Sequence, residues 1–239
     1  MKDENRLVAF VVRWAYPIAL LNLLLILGLG AGASQLAVQS GIRVLFSPDD
    51  ANLLTEIHIE ETYGKEDNIL LVIDAGDESL FSLDYLRMLE AVTEESWQVP
   101  SSQRVDSITN FLHTAVEGDD IVINPLVGDA ALLTQADIER IRTIALAEDL
   151  LLGRLISANG QVGAVNISLN LQQESKAEDL AAAVQYARKI AQQAARENPG
   201  IDIHLAGLAL TEQTLAEVTA KDGASLIPLV FVLVLLGVA

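Results

Sequence analysis

Hydrophobic and polar positions divide the chain into three stretches: residues 14–42 and 223–239 carry no charged side chain, while 43–222 mix apolar positions with charges at short spacing. A helix crossing about 30 Å of hydrocarbon needs about 20 mostly apolar residues, so 14–42 predicts a first transmembrane helix. The second run has 17 residues, short of a comfortable span. It predicts the start of a second transmembrane helix in a protein that continues past Ala239. Lys2, Arg6 and Arg13 precede the first run and only Arg43 follows it closely, so the positive-inside rule makes 1–13 a cytoplasmic tail and puts 43–222 on the far side. Trp14 and Tyr16 stand where amphipathic rings prefer the headgroup level, and Pro17 falls in a first helical turn, where a missing N–H costs little. Gly28 and Gly32 form a GxxxG pair among Gly30, Ala31 and Ala33, a surface another helix can approach closely.

Two other readings compete for this first run. Ala31-Gly32-Ala33 has the form of a signal-peptide cleavage site, but the apolar core is too long and Asp3 and Glu4 dilute the basic region before it. Residues 28–33 also fit G-x-G-x-x-[GA], with Asp49 and Asp50 about where a dinucleotide fold would want them. Against that, the chain reaches Gly41 before a full helix can form, and the apolar run begins far too early for one strand.

Between the apolar runs the periodicity changes repeatedly. Residues 68–74 (NILLVID) are a continuous β-branched apolar run, predicting a strand covered on both faces. In 82–97, Leu83, Leu86, Leu89, Ala91 and Val92 fall at helical spacing before Pro100. Alternation returns in 104–112 through Val105, Ser107 or Ile108, and Phe111, while 114–133, with Gly118, Pro125 and Gly128, reads as irregular chain. Thr134 and Asp137 open a helix with its stripe at Ile138, Ile141 and Ile144-Ala145. Residues 155–158 and 162–169 read as two strands joined by Asn159-Gly160, a pair suited to a type I′ turn. Ser175 and Glu178 have capping-box spacing, opening a helix through Leu180, Val184, Ala187, Ile190 and Ala194 that stops at Asn198-Pro199-Gly200. Residues 201–208 alternate as a strand, and 211–221 form a short helix leading into the second apolar run. The order β-α-β, helix, β-β, α-β predicts an α+β domain of ferredoxin-like type, built from split β-α-β halves.

Composition adds an electrostatic constraint. Of 239 residues 51% are hydrophobic and the net charge is −18, yet 41–223 hold 31 acidic and 12 basic residues, a balance of −19. Such a domain repels nucleic acid and anionic surfaces and is a well-solvated ectodomain. The absence of cysteine excludes disulfides, thiolate metal sites and a cysteine nucleophile.

Candidate chemistry is sparse. The sequence has no H-E-x-x-H, no G-x-x-x-x-G-K-[ST] and no G-x-S-x-G. His58, His113 and His204 are far apart, and although His58 and Glu61 share a helical face near Glu60, two such side chains do not make a metal site. The doublets Asp49-Asp50, Glu94-Glu95 and Asp119-Asp120 lack oxygen-ligand spacing and read as caps and turns. Neither apolar run holds an ionisable residue, and Asn22, the one strongly polar side chain in 14–33, reads as a helix–helix hydrogen-bonding group. No catalytic, cofactor-binding or metal-binding residue is therefore predicted, and no enzyme activity.

Three segments, in order, carry a family resemblance. Phe46-Ser47-Pro48-Asp49-Asp50, followed by Tyr63-Gly64-Lys65-Glu66-Asp67-Asn68 leading into Ile69-Leu70-Leu71-Val72, resembles the stretch after the first transmembrane helix of RND-superfamily exporters of the MMPL and hopanoid-exporter type. Leu155-Ile156-Ser157-Ala158-Asn159-Gly160 is similar to their L-V-S-x-D-G hairpin, and Ile203-His204-Leu205-Ala206-Gly207, then Asp222 and Ile227-Pro228-Leu229, to their closing strand and second transmembrane helix. The chain departs from them at Leu208-Ala209, where a proline often follows that glycine. The resemblance implies a proton-driven exporter of hydrophobic or amphiphilic molecules in the bacterial inner membrane, working as a homo-oligomer without a cofactor. It implies a porter-type domain at 43–222, facing the periplasm, and proton-relay carboxylates on later helices. The competing class is a bacterial membrane sensor whose ectodomain binds a small ligand; an anchored periplasmic scaffold is a third.

Overall fold

The structure, a computed structural model, describes residues 13–17, 20, 46–47, 49–63, 67–76, 78–117, 120–172 and 175–238. It contains two compact units, Met1–Val44 and Leu45–Ala239. In the first, residues 13–17 form helical turns, while the rest of the apolar run, with Asn22 and the glycines at 28, 30 and 32, lies outside the described residues. Among the described residues no helix is long and apolar enough to cross a membrane. The side chains of 227–238 and the whole of Ala239 lie outside that description as well.

The second unit runs α1 (Ala51–Tyr63), β1 (Asp67–Asp74), α2 (Leu83–Ser96), β2 (Ser102–Asp106), β3 (Leu112–Glu117), β4 (Asp120–Pro125), α3 (Gln135–Ala145), β5 (Val162–Leu169), α4 (Lys176–Glu197), β6 (Asp202–Ala206) and α5 (Leu208–Val238). Strands β2, β5, β1 and β6 form one sheet in that order, with every neighbouring pair antiparallel. Each β-α-β half therefore leaves a gap that a strand of the other half fills, which is the split arrangement of a ferredoxin-like α+β domain.

Strand period fixes which side chains meet the helices. Ile69, Leu71 and Ile73 of β1 and Val165, Ile167 and Leu169 of β5 are buried. They pack beneath Leu86, Leu89 and Val92 of α2 and Leu180, Val184, Ala187 and Ile190 of α4. Each large apolar side chain sealed there contributes about 1.5–3 kcal/mol. The Tyr85 hydroxyl donates to the Ile73 carbonyl at 2.8 Å, and burial, with Asp74 adding, pushes its phenol above the ordinary value. Ser82 caps α2. Thr134 and Asp137 close a full capping box on α3.

Several local expectations are corrected. Strand β1 is covered on one face only: Leu70 and Val72 are half-buried, because α2 and α4 lie on the other side of the antiparallel sheet. The stretch read as irregular chain holds a hairpin, β3–β4, in which Glu117 pairs with Asp120 across the two residues between them. The strand expected over 104–112 ends at Asp106, where Ser107 and Asn110 close a turn. The strand expected at 155–158 is reduced to isolated bridges from Ile156 to Gly163 and to Leu152. The turn beside it is not type I′, since Gly160 takes positive φ (67°) and Asn159 does not. A bond from Gly160 N–H to the Ser157 carbonyl closes it, a turn followed by a left-handed glycine. Ser175 precedes α4 without capping it, its hydroxyl going instead to Asp179. Strand β6 is shorter than expected, and the short helix expected at 211–221 begins at Leu208 and runs unbroken to Val238.

Candidate functional site

With the helices on one face of the sheet, the alternate residues of each strand turn to the other. Asn68 and Leu70 of β1, Asn166 of β5, and Arg104 and Asp106 of β2 form the floor of a groove of about 730 Å³. Ligand sites commonly enclose about 300–1,000 Å³ and are lined by apolar groups with a few placed polar ones. This groove has that character. Trp97, Leu112 and Leu150 stand at its walls, 47%, 61% and 57% exposed.

Backbone turns hold those walls. Asn110 accepts from the Ser107 N–H at 2.9 Å and donates to the Val105 carbonyl at 2.7 Å, fixing the exit from β2. Thr93, Ser107 and Thr109 join hydroxyls in a buried cluster behind it. On the other side Leu151 is fully buried and its carbonyl accepts from the N–H groups of Arg154, Leu155 and Ile156, so the tight turn presents Leu150 and Arg154 outward.

The floor is polar at its centre. Asn68 donates to the Asn166 side-chain carbonyl at 2.8 Å. The charged lining consists of Arg104, Asp106 and Arg154. Arg104 pairs with Asp106 at 2.8 Å, and Arg154 makes no ion pair among the described residues.

A smaller depression of about 520 Å³ lies between α2 and α4, with Met88, Val92 and Ile190 beneath a rim of Asp84, Arg87, Glu95 and Glu197. Tyr186 donates to Glu95 nearby, which ties the two helices together and holds the Tyr186 phenol above its ordinary value. That is a helix–helix seam.

The opposite edge of the sheet is fastened to α5. Gly207, at φ 108°, makes the turn from β6 into the helix, and a Cβ there would overlap the Asn68 carbonyl. The next N–H, of Leu208, donates to the Asn68 side chain at 3.3 Å, a bond that proline at that position could not make. Lys176 bridges to Glu212 at 2.8 Å and approaches Asp67 at 3.9 Å. Arg188 grips both oxygens of Glu217, at 2.9 and 3.1 Å. That hydrogen bond, joined by one from Gln213, holds the Glu217 carboxyl below the usual carboxylate range.

The sequence-flagged polar residues do not converge. His58 lies on α1, His113 on β3 and His204 on β6, and no group of three or more His, Asp or Glu side chains arranged for a metal occurs among the described residues. Asp50 caps α1 through the N–H groups of Asn52 and Leu53. Glu94 and Glu95 belong to α2 and Asp120 begins β4; Asp119 lies outside the described residues. Sequence reasoning missed Trp97 and Arg154 because nothing local marks them, and the groove is assembled from three strands distant in sequence.

The model of the MMPL family matches residues 47–238 of the chain, every element from α1 through α5 included. No curated protein matches it.

Proposed function

This chain belongs to the MMPL family, RND-type membrane transporters of hydrophobic molecules, and from that premise we propose that its α+β domain holds an exported hydrophobic or amphiphilic molecule on the open face of its sheet. The observation that carries this reading is the groove of about 730 Å³ with apolar walls and a polar centre. A molecule with a chain and a head group finds both kinds of surface there.

In this reading residues 1–13 are cytoplasmic, 43–222 face the periplasm of a bacterial inner membrane, and the transporter works as a homo-oligomer driven by protons. The domain binds and hands on its substrate without chemical conversion and without a cofactor. Movement of the membrane helices reaches the sheet through α5, whose first turns are pinned to β1 and α4 by Asn68, Lys176 and Arg188. The neutral apolar runs leave the proton relay to carboxylates elsewhere in the transporter.

Leu70→Asp puts a charge on the groove floor without entering the helix-covered core. In cells carrying the transporter we expect export of its lipid to fall about tenfold or more, the effect of a charge that a bound apolar chain would have to cover, with the protein still present in the membrane. Unchanged export of every candidate lipid would sink the reading.

A further inference from the structure

The groove's charge does not follow the charge of the domain around it. Acidic residues outnumber basic ones 31 to 12 across 41–223, yet the charged side chains lining the groove are two arginines and one aspartate. Arg104 is already engaged by Asp106 at 2.8 Å. Arg154 is exposed, held outward by the turn over Leu151, and has no ion pair among the described residues. A guanidinium in that state offers a planar fork of donors matched to two oxygens of a carboxylate or phosphate.

We infer that the substrate seated in this groove is an amphiphile with an oxyanion head, carboxylate or phosphate, which Arg154 binds while the apolar chain lies along Leu70, Trp97 and Leu112. The inference rests on the groove being the substrate site proposed above. The two charge terms oppose each other: the acidic domain repels an anion, and Arg154 attracts it. At physiological salt, repulsion from charges beyond about 8 Å is largely screened, whereas a direct charge-assisted bond is not. The local contact therefore wins once the head group has arrived, and the domain field disfavours anions that lack a chain to hold them in the groove. Free inorganic phosphate is accordingly a poor competitor.

The chain supplies its own reporter. It has two tryptophans, Trp14 and Trp97, so Trp14→Phe leaves only the one at the groove wall. The full chain carrying that substitution is placed in phosphatidylcholine nanodiscs at alkaline pH and titrated with brominated stearate and with the matching brominated alcohol, whose bromines quench a tryptophan they touch. We expect saturable quenching by both, with stearate bound about tenfold more tightly, the effect of one exposed charge-assisted bond. Arg154→Gln should erase that difference and leave the alcohol unchanged, and inorganic phosphate should not displace stearate. Equal binding of acid and alcohol by the Trp14→Phe chain overturns the anionic assignment while leaving the groove as an apolar site. So does an equal loss of both on Arg154→Gln, or no effect of that substitution. Displacement of stearate by inorganic phosphate overturns the amphiphile in favour of a simple anion site. Absence of quenching by either probe overturns the groove itself, and with it the site of the proposed function.

Discussion

At the β6 edge of the sheet, chain and side chains converge on one helix: Gly207 turns β6 into α5, Asn68 binds the first helical N–H, and Lys176 and Arg188 reach across from α4 to Glu212 and Glu217. At the β2 edge the same sheet ends in open surface, with Trp97, Leu112 and Leu150 exposed around a groove and a two-stranded ribbon leaving from its rim. On the proposed function, the first edge transmits force and the second receives a molecule. Antiparallel neighbours link the two edges across the sheet, and on that proposal β1 and β5 carry a displacement of α5 to the groove. The proposal thus rests on the asymmetry of the two edges, with one helix-covered core behind both.

The firmest way to break the comparison is at the fastened edge. Gly207→Ala needs a left-handed backbone at a residue with a Cβ and drives that Cβ into the Asn68 carbonyl, which is backbone and cannot swing away. We expect a loss of about 4 kcal/mol in chemical unfolding, strain and overpacking together. A loss under about 1 kcal/mol would mean that the junction is loose.

Next in size is a contrast between neighbours on β1. Leu71 is fully buried under the helices and Leu70 faces the groove. Leu71→Ala should cost about 3 kcal/mol by leaving a cavity. Leu70→Ala should cost about 1 kcal/mol in stability while weakening substrate binding. Equal stability losses would show that the open face is covered in the native protein.

The smallest effect is electrostatic. The folded-state carboxyl of Glu217 lies below its ordinary value because Arg188 binds it, so its contribution is present above the ordinary carboxylate pKa and is lost as pH falls through the lowered one. Protection of the amides in the first turns of α5, measured against their intrinsic exchange rates, should fall over that acid range, and Glu217→Gln should remove that fall. The groups are exposed, so added salt should shrink the effect.

Local chemistry and the order of elements were readable in the sequence, and the groove was not. Thr134 with Asp137 identified the start of α3, and the stripe Leu180, Val184, Ala187, Ile190, Ala194 identified the buried face of α4, because both signals lie within a few turns of chain. The ferredoxin-like order followed from those elements even though 155–158 forms only isolated bridges. Hairpin β3–β4 was obscured by Gly118 and Pro125, although Gly-Asp between alternating apolar residues is itself a hairpin signal. Leu70 and Val72 show the deeper difficulty: an apolar residue facing a groove looks, in sequence, like one facing the core. The groove joins β1, β2 and β5 with the turn at 150–155, and no periodicity reports contacts between segments so far apart.

The central claim is that substrate occupies the β2 end of the open sheet face. Residues 1–239 hold no cysteine, so in a transporter with any other cysteine replaced by serine, a single cysteine can carry a benzophenone probe at chosen places. Leu112, 61% exposed at the groove, and Leu132, 78% exposed away from it, form the decisive pair. On irradiation of cells exporting their lipid, the account expects a lipid adduct from a probe at 112 and none from one at 132. Equal labelling at both, or labelling only at 132, would contradict it.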